Sequence, residues 1–302
     1  MPTLSVTANR AAWYRFNRGI TADGAGLVSQ WDDASGNDRH LLQATLANRP
    51  TQQSDGSILF DGVDKFMNMT VTLAQPVTLY ILFKQVTFTD LDYIFSGDSG
   101  GFHFRQNAPS PGVSIYAGVA DIRTNDLILD TYGIATIVFN GASSILTINN
   151  NIATTGNAGA SGATLFSLGV DNGGTSYSNI QVKEILIYSV AHDQATRFRV
   201  INYLMQLGDV ALPTTTKSVV IERPTIIASQ RVGVAKVRWA GSTSGNAYLA
   251  DGDDNVFWRA THTANTAIET DFSRFPRTAM NWNLQGLTSA TMDSGKLHIS
   301  LE

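Results

Sequence analysis

Trp31-Asp32-Asp33-Ala34-Ser35-Gly36-Asn37-Asp38, followed by Asn48-Arg49-Pro50 and then Ile58-Leu59-Phe60-Asp61-Gly62, is the stretch whose reading decides the fold. A Trp anchors a turn, a polar loop follows, and a short apolar strand stops at Asp-Gly. Ser35-Gly36-Asn37 is turn chemistry, because Gly and Asn tolerate positive φ. Ile58, Leu59 and Phe60 form an apolar run that Asp61-Gly62 ends. Nothing in the stretch is catalytic.

The same vocabulary continues outward. Val77 to Phe83 is rich in β-branched and aromatic residues, and Tyr93-Ile94-Phe95 runs into the turn Ser96 to Gly101. Phe102-His103-Phe104-Arg105 and Val113-Ser114-Ile115-Tyr116 alternate apolar with polar, which predicts strands with one buried face. Ile134 to Phe139, Asn140-Gly141 and Ile145 to Ile148 predict a hairpin. Ile180 to Tyr188 reads as a long strand. After Ser189 the period changes: Phe198, Ile201, Leu204 and Leu207 recur at near-helical spacing, between a start at His192-Asp193-Gln194 and a stop at Gly208.

Composition agrees with a β-rich chain. The 302 residues are 43% hydrophobic, enough for a real core, and only 15% charged, against the usual ~25%. The acids are nearly all Asp, a turn residue; the only glutamates are Glu184, Glu222, Glu269 and Glu302. A net charge of −4 carries no electrostatic footprint for nucleic acid. Without cysteine there is no disulfide framework, thiolate metal site or Cys nucleophile, which fits folding in a reducing cytoplasm. Met1-Pro2-Thr3-Leu4-Ser5 lacks the basic and apolar regions of a signal peptide, so none is expected. No apolar run approaches the ~20 residues that span a bilayer, so no membrane insertion is expected.

The opening motif, with Lys183-Glu184-Ile185-Leu186-Ile187-Tyr188-Ser189 and a short helix ending Tyr203-Leu204, resembles the concanavalin A-like (laminin G-like) jelly-roll domains of many secreted proteins and of bacteriophage virion proteins. The resemblance covers roughly residues 1–210. Leu212-Pro213-Thr214-Thr215-Thr216-Lys217 then reads as a linker. Beyond it, Ser218 to Ile227, Val232 to Trp239, a hairpin around Asp251-Gly252-Asp253-Asp254-Asn255, and Ser294 to Leu301 suggest a small β-sandwich. Trp239 to Asn246 and Ser294 to Leu301 look like small C-terminal modules of phage tail, fibre and head-decoration proteins. The expected architecture is all-β: a concanavalin A-like sandwich at 1–212 with one short helix near its C-terminal end, and a second small β-sandwich at 213–302. The resemblance implies a non-enzymatic structural protein of a phage particle, assembled in the host cytoplasm. Its implied partners are other virion proteins, further copies of itself (a trimer by analogy to phage fibres) and host-surface glycan. A carbohydrate-binding adhesion protein is the alternative, and a glycan-degrading enzyme a third reading.

The residues bear on each. Jelly-roll glucanases carry a Glu-x-Asp-x-x-Glu type motif, and glycoside hydrolysis needs two carboxylates flanking the sugar. The motif is missing, and Glu184 stands alone in an apolar strand. His40, His103, His192, His262 and His298 are scattered, with no Gly-x-Ser-x-Gly elbow. No catalytic residue is therefore assigned. The loop Asp251 to Asn255 lacks the spacing and terminal Glu of an EF-hand and reads as a hairpin turn. No cofactor or metal is assigned. Laminin G-like domains in some cases hold Ca²⁺ through loop Asp, which makes Asp92, Asp98, Asp121 and Asp171 the residues to watch. For glycan, Phe102, Phe104 and Ile115 facing inward turn His103, Arg105, Ser114 and Tyr116 outward. His103, Arg105 and Tyr116 are thus the candidate glycan contacts, on a solvated sheet face. Trp13 and Trp31 are expected as core anchors of the first domain. The aromatic load of the second, with Trp239, Trp258, Phe272, Phe275 and Trp282, predicts an assembly interface.

Overall fold

The Trp31–Asp38 segment folds around the carboxylate of Asp33. That side chain is buried and accepts the backbone N–H groups of Trp13 and Ser35, each at 2.8 Å, and the Ser35 hydroxyl at 2.7 Å. Asn37 Nδ2 donates to the carbonyls of Arg10 and Ala11 at 3.0 and 3.1 Å. The motif thus staples the strand Arg10–Tyr14 to the turn. Positive φ falls on Gly36 (90°) and Asp38 (55°) rather than on Asn37. Trp31 ends the strand Val28–Trp31, is fully buried, and donates its indole N–H to the carbonyls of Arg15 and Arg18.

This computed structural model describes residues 3–98, 101–149 and 151–208 in full, and the backbone of strands between 217 and 301. The chain divides into two units, Met1–Val210 and Ala211–Glu302. Residues 209–216, which hold most of the expected linker, lie outside the described residues.

In the first unit two antiparallel sheets face each other. The eight-stranded sheet runs Thr154–Gly156, Ser144–Ile148, Gly133–Phe139, Val77–Gln85, Asn179–Tyr188, Ile58–Asp61, Thr51–Gln52, and Arg10–Tyr14 also pairs with Asn179–Tyr188. The nine-stranded sheet runs Ile122–Thr124, Val113–Tyr116, His103–Gln106, Tyr93–Gly97, Ala163–Leu168, Met67–Leu73, Leu41–Leu42, Val28–Trp31, Ile20–Ala22. Main-chain bonds join the sheets along one side: Val28 N–H to the Pro50 carbonyl and Gln52 N–H to the Gly26 carbonyl, both 2.8 Å, with a bridge between Leu27 and Thr51.

Alternation fills the space between the sheets. Phe83, Phe95, Phe102, Phe104, Phe139 and Phe166 are fully buried there, with ring centroids 4.2 Å apart for Phe102–Phe139 and 4.9 Å for Phe95–Phe166. Each such ring contributes about 1.5–3 kcal/mol through burial. The expected hairpin forms in the register Val138–Ile145 to Ala135–Ile148. Its turn is longer than a two-residue Asn-Gly turn, with a 3-10 turn over Gly141–Ser143 and Gly141 at φ 56°.

The helix Gln194–Gly208 begins after Asp193, whose carboxylate accepts the Thr196 N–H at 2.7 Å. Its residues Val200, Ile201, Tyr203 and Leu204 form a second apolar cluster with Tyr80, Leu82, Ile134, Leu186 and Tyr188, on the outer face of the eight-stranded sheet. Trp13 belongs beside this cluster, half-buried, not in the central core as the sequence predicts. It alternates with Ala12 and Tyr14, and those two take the inward positions.

In the second unit, Lys217–Ile221, Gly295–Leu301, Val234–Gly241 and Ile268–Asp271 form an antiparallel sheet in that order. Gly245–Ala250 pairs with Val256–His262 as the expected hairpin. Trp239 and Trp258 lie on these strands, but their side chains are outside the described residues, as are Phe272, Phe275 and Trp282 entirely.

Candidate functional site

The nine-stranded sheet presents a cross-strand row on the face away from the core: Tyr116, His103, Ser96, Ser167, Asn68, Leu42, Gln30 and Thr21, each paired with the next. At one end of the row the rings gather. His103 stacks on Tyr116 with centroids 5.1 Å apart and planes at 20°, and Tyr93 meets His103 edge-on at 4.9 Å. Beside them, Arg105 donates to Asp121 Oδ2 at 3.0 Å and lies 6.0 Å from the Tyr93 ring. Arg123 reaches the same oxygen at 3.3 Å. Asn107 Nδ2 donates to the Ser114 hydroxyl at 2.8 Å, and that hydroxyl donates to Asp121 Oδ1 at 3.3 Å.

The three residues singled out from sequence are therefore brought together on one face. One correction follows. His103 is 3% exposed and Ser114 fully buried, so neither is a solvated side chain. Tyr93 and Tyr116 flank His103. The 169–178 loop also folds back across the neighbouring strands. Ser96 Oγ donates to the Val170 carbonyl at 3.0 Å, and Asn172 donates to the carbonyl of Asp98. Half-buried Tyr116, Tyr93 and Arg105, with exposed Arg123, form the accessible part. Tyr93, Asp121 and Arg123 were missed as members of the site. Tyr93 is legible as the residue that opens an apolar strand; Asp121 and Arg123 follow a glycine turn and give no local signal.

Electrostatics set the polar half in place. Burial alone raises the Asp121 carboxyl, but the Arg105 charge, then the bonds and charge of Arg123, outweigh it and hold the group below the ordinary carboxylate range. The other loop carboxylates each have partners of their own. Asp98 is lowered by the Thr164 hydroxyl and N–H. Asp171 is half-buried; burial raises it, but the N–H groups of Ser176 and Thr175 lower it overall. Asp92 is raised by burial and by the charge of Asp171. Among the described residues no three His, Cys, Asp or Glu converge as a metal site.

Glu184 is the other carboxylate of note. It is 1% exposed. Its Oε1 accepts from Trp13 Nε1 and the Tyr203 hydroxyl, both at 2.7 Å, and its Oε2 from the Phe16 N–H at 3.1 Å. Burial raises its pKa despite these donors. With both oxygens occupied under the helix, it ties helix, N-terminal strand and sheet together.

The first unit is an antiparallel β-sandwich of the concanavalin A-like class. No family model matches the chain, and no curated protein matches it. Among solved structures, it is similar to the botulinum neurotoxin serotype D binding domain, with TM-score 0.51 and 8% identity, covering 85% of this chain and 64% of that one. The serotype D/C VPI 5993 binding domain gives 0.48 at 9% identity, covering 87% and 64%. Trypanosoma rangeli sialidase in complex with sialic acid gives 0.48 at 15% identity, covering 67% of this chain. The chain spans about a third of the sialidase, 34%. These likenesses concern the fold.

Proposed function

We propose that this chain is a non-enzymatic structural protein of a bacteriophage particle whose first sandwich contacts host-surface glycan. The observation that carries the glycan contact is the ring group Tyr93–His103–Tyr116 set beside Arg105 and Arg123 on one carboxylate. A sugar offers an apolar C–H face and a rim of hydroxyls. An aromatic ring takes the first and a planar guanidinium the second. Asp121 fixes Arg105 before any ligand arrives, which lowers the ordering cost of binding. Arg105 Nε–H, buried, meets no acceptor among the described residues. The virion setting rests on the sequence motifs of both modules, and a free adhesion protein would use the same face.

The test is a binding screen of the full chain against bacterial surface polysaccharides, with mass spectrometry of purified particles for the chain itself. Tyr116→Ala and Arg105→Ala should each weaken binding by about tenfold or more, the loss of ~1.4 kcal/mol. Unchanged binding would remove the site. Release of reducing ends would replace the non-enzymatic reading.

A further inference from the structure

Eight large apolar side chains are exposed among the described residues, and five of them lie at one end of the sandwich. Val63 follows the strand Ile58–Asp61; Leu91 precedes Tyr93–Gly97; Ile128 and Leu129 precede Gly133–Phe139; Ile152 lies between Ser144–Ile148 and Thr154–Gly156. Strand pairing places these four loops together. Asp61 pairs with Asn179, where Ile180 opposes Gln85, and Gly133 opposes Phe83. Neighbouring loops are tied: Val86 N–H donates to the Asn179 carbonyl at 2.9 Å, and Asp130 N–H to that of Gln85 at 2.7 Å. A Cβ on Gly133 would meet Leu127 at 2.7 Å and Ile148 at 3.8 Å, so the 125–132 loop lies against the root of the loop carrying Ile152.

Single exposed apolar residues are ordinary. Ile152 at 79%, Val63 at 69% and Ile128 at 65% exposure, all at one end, are not scattered singly. The charges around them are mostly acidic. Asp61, Asp64, Asp90, Asp92, Asp126 and Asp130 sit on or beside these loops, against Lys65, Lys84 and Arg123, the last of which is held by Asp121. Lys65 is already paired with Asp61 and Asp64, and Lys84 with Asp130. We propose that this loop end is a docking surface for another protein, one whose contact patch is apolar at its centre and rimmed by Lys and Arg. A second copy meeting it end to end would set two acidic rims against each other, and an anionic bilayer would be repelled. Tyr93 of the ring group is two residues from Leu91, so the two surfaces adjoin, while Tyr116, paired with His103, belongs to the ring group alone.

The probe is a labelled amphipathic Leu/Lys peptide, compared with its Leu/Glu counterpart by fluorescence anisotropy on the full chain. The Leu/Lys peptide should bind at least about tenfold tighter. Joint Ile128→Ser, Leu129→Ser and Ile152→Ser substitution should weaken it by about the same factor with the melting midpoint unchanged. Asp90→Asn with Asp126→Asn should weaken it most at low salt, and keeps the proposal testable if the Ser variant melts early. Tyr116→Ala should leave it unchanged, which separates this surface from the glycan reading. Failure of the Leu/Lys peptide to bind, equal binding of both peptides, or an insensitive Ser variant would overturn the proposal. So would self-association, or binding to phosphatidylserine vesicles, that the Ser variant abolishes.

Discussion

The two sheets share one core and turn unlike faces outward. The eight-stranded sheet sets Tyr80, Leu82, Ile134 and Leu186 outward, and the helix covers them. The nine-stranded sheet sets out rings, hydroxyls and amides, and among the described residues a loop crosses part of it. The carboxylates follow the same division. Glu184, under the helix, is pushed up by burial, while Asp121, on the open side, is held down by Arg105 and Arg123. One face is a second core; the other carries polar groups and rings without a covering helix among the described residues. Identical alternation can produce either, and what decides is whether the outward residues need cover.

The largest effect that could break this contrast is on the covered face. Leu204 is fully buried there, so Leu204→Ala should cost ~2–5 kcal/mol in denaturant unfolding. Tyr116→Ala, on the open face, should cost less than about 1 kcal/mol, the scale of a cross-strand pair. Equal costs would mean that the faces are not different in kind.

Acid should act next on the helix side. His192 is buried, its Nδ1 2.8 Å from the Tyr80 hydroxyl, and burial lowers its pKa from 6.5 to about 4. The fold keeps it neutral, so the unfolded chain binds more protons in that window. Its contribution is complete above pH 6.5 and is lost as pH falls toward about 4. Urea midpoints should fall across that range, and His192→Gln should flatten the decline. An unflattened profile would assign the loss elsewhere.

The smallest effects sharpen the contrast by sign. The raised Glu184 contributes stability that is full below its ordinary 4.5 and lost as pH rises through its folded pKa. The lowered Asp121 contributes stability present above 3.8 and lost as pH falls through its folded pKa. Glu184→Gln should remove a negative slope of stability with pH, and Asp121→Asn a positive one. Slopes of the same sign would end the pairing of the two sites as opposites.

Much of the first unit was legible because its strands carry their own pattern. Phe102 and Phe104 point inward as alternation requires, and Asp193 and Gly208 bound the helix as expected. Alternation names a face without naming what comes to lie on it. The burial of His103 arises from Tyr93, Tyr116 and its surroundings on the folded sheet, none encoded in the Phe102–Arg105 pattern. Glu184 reads as an isolated acid because Trp13 and Phe16 lie 171 and 168 positions away. The exposed loop tips were missed for a simpler reason: Ile128, Leu129 and Ile152 look like ordinary strand residues until the register puts them beyond the strands.

The bonds that join Val28 to Pro50 and Gln52 to Gly26 have a consequence for crowding. An unpaired strand edge is a template on which a neighbouring chain can polymerise. Along Thr51–Gln52 the edge of the eight-stranded sheet is covered by the Gly26–Val28 segment, while Ile20–Ala22 remains the edge strand of the other sheet. A neighbouring copy would find no free backbone ladder to extend along Thr51–Gln52, however crowded the copies are.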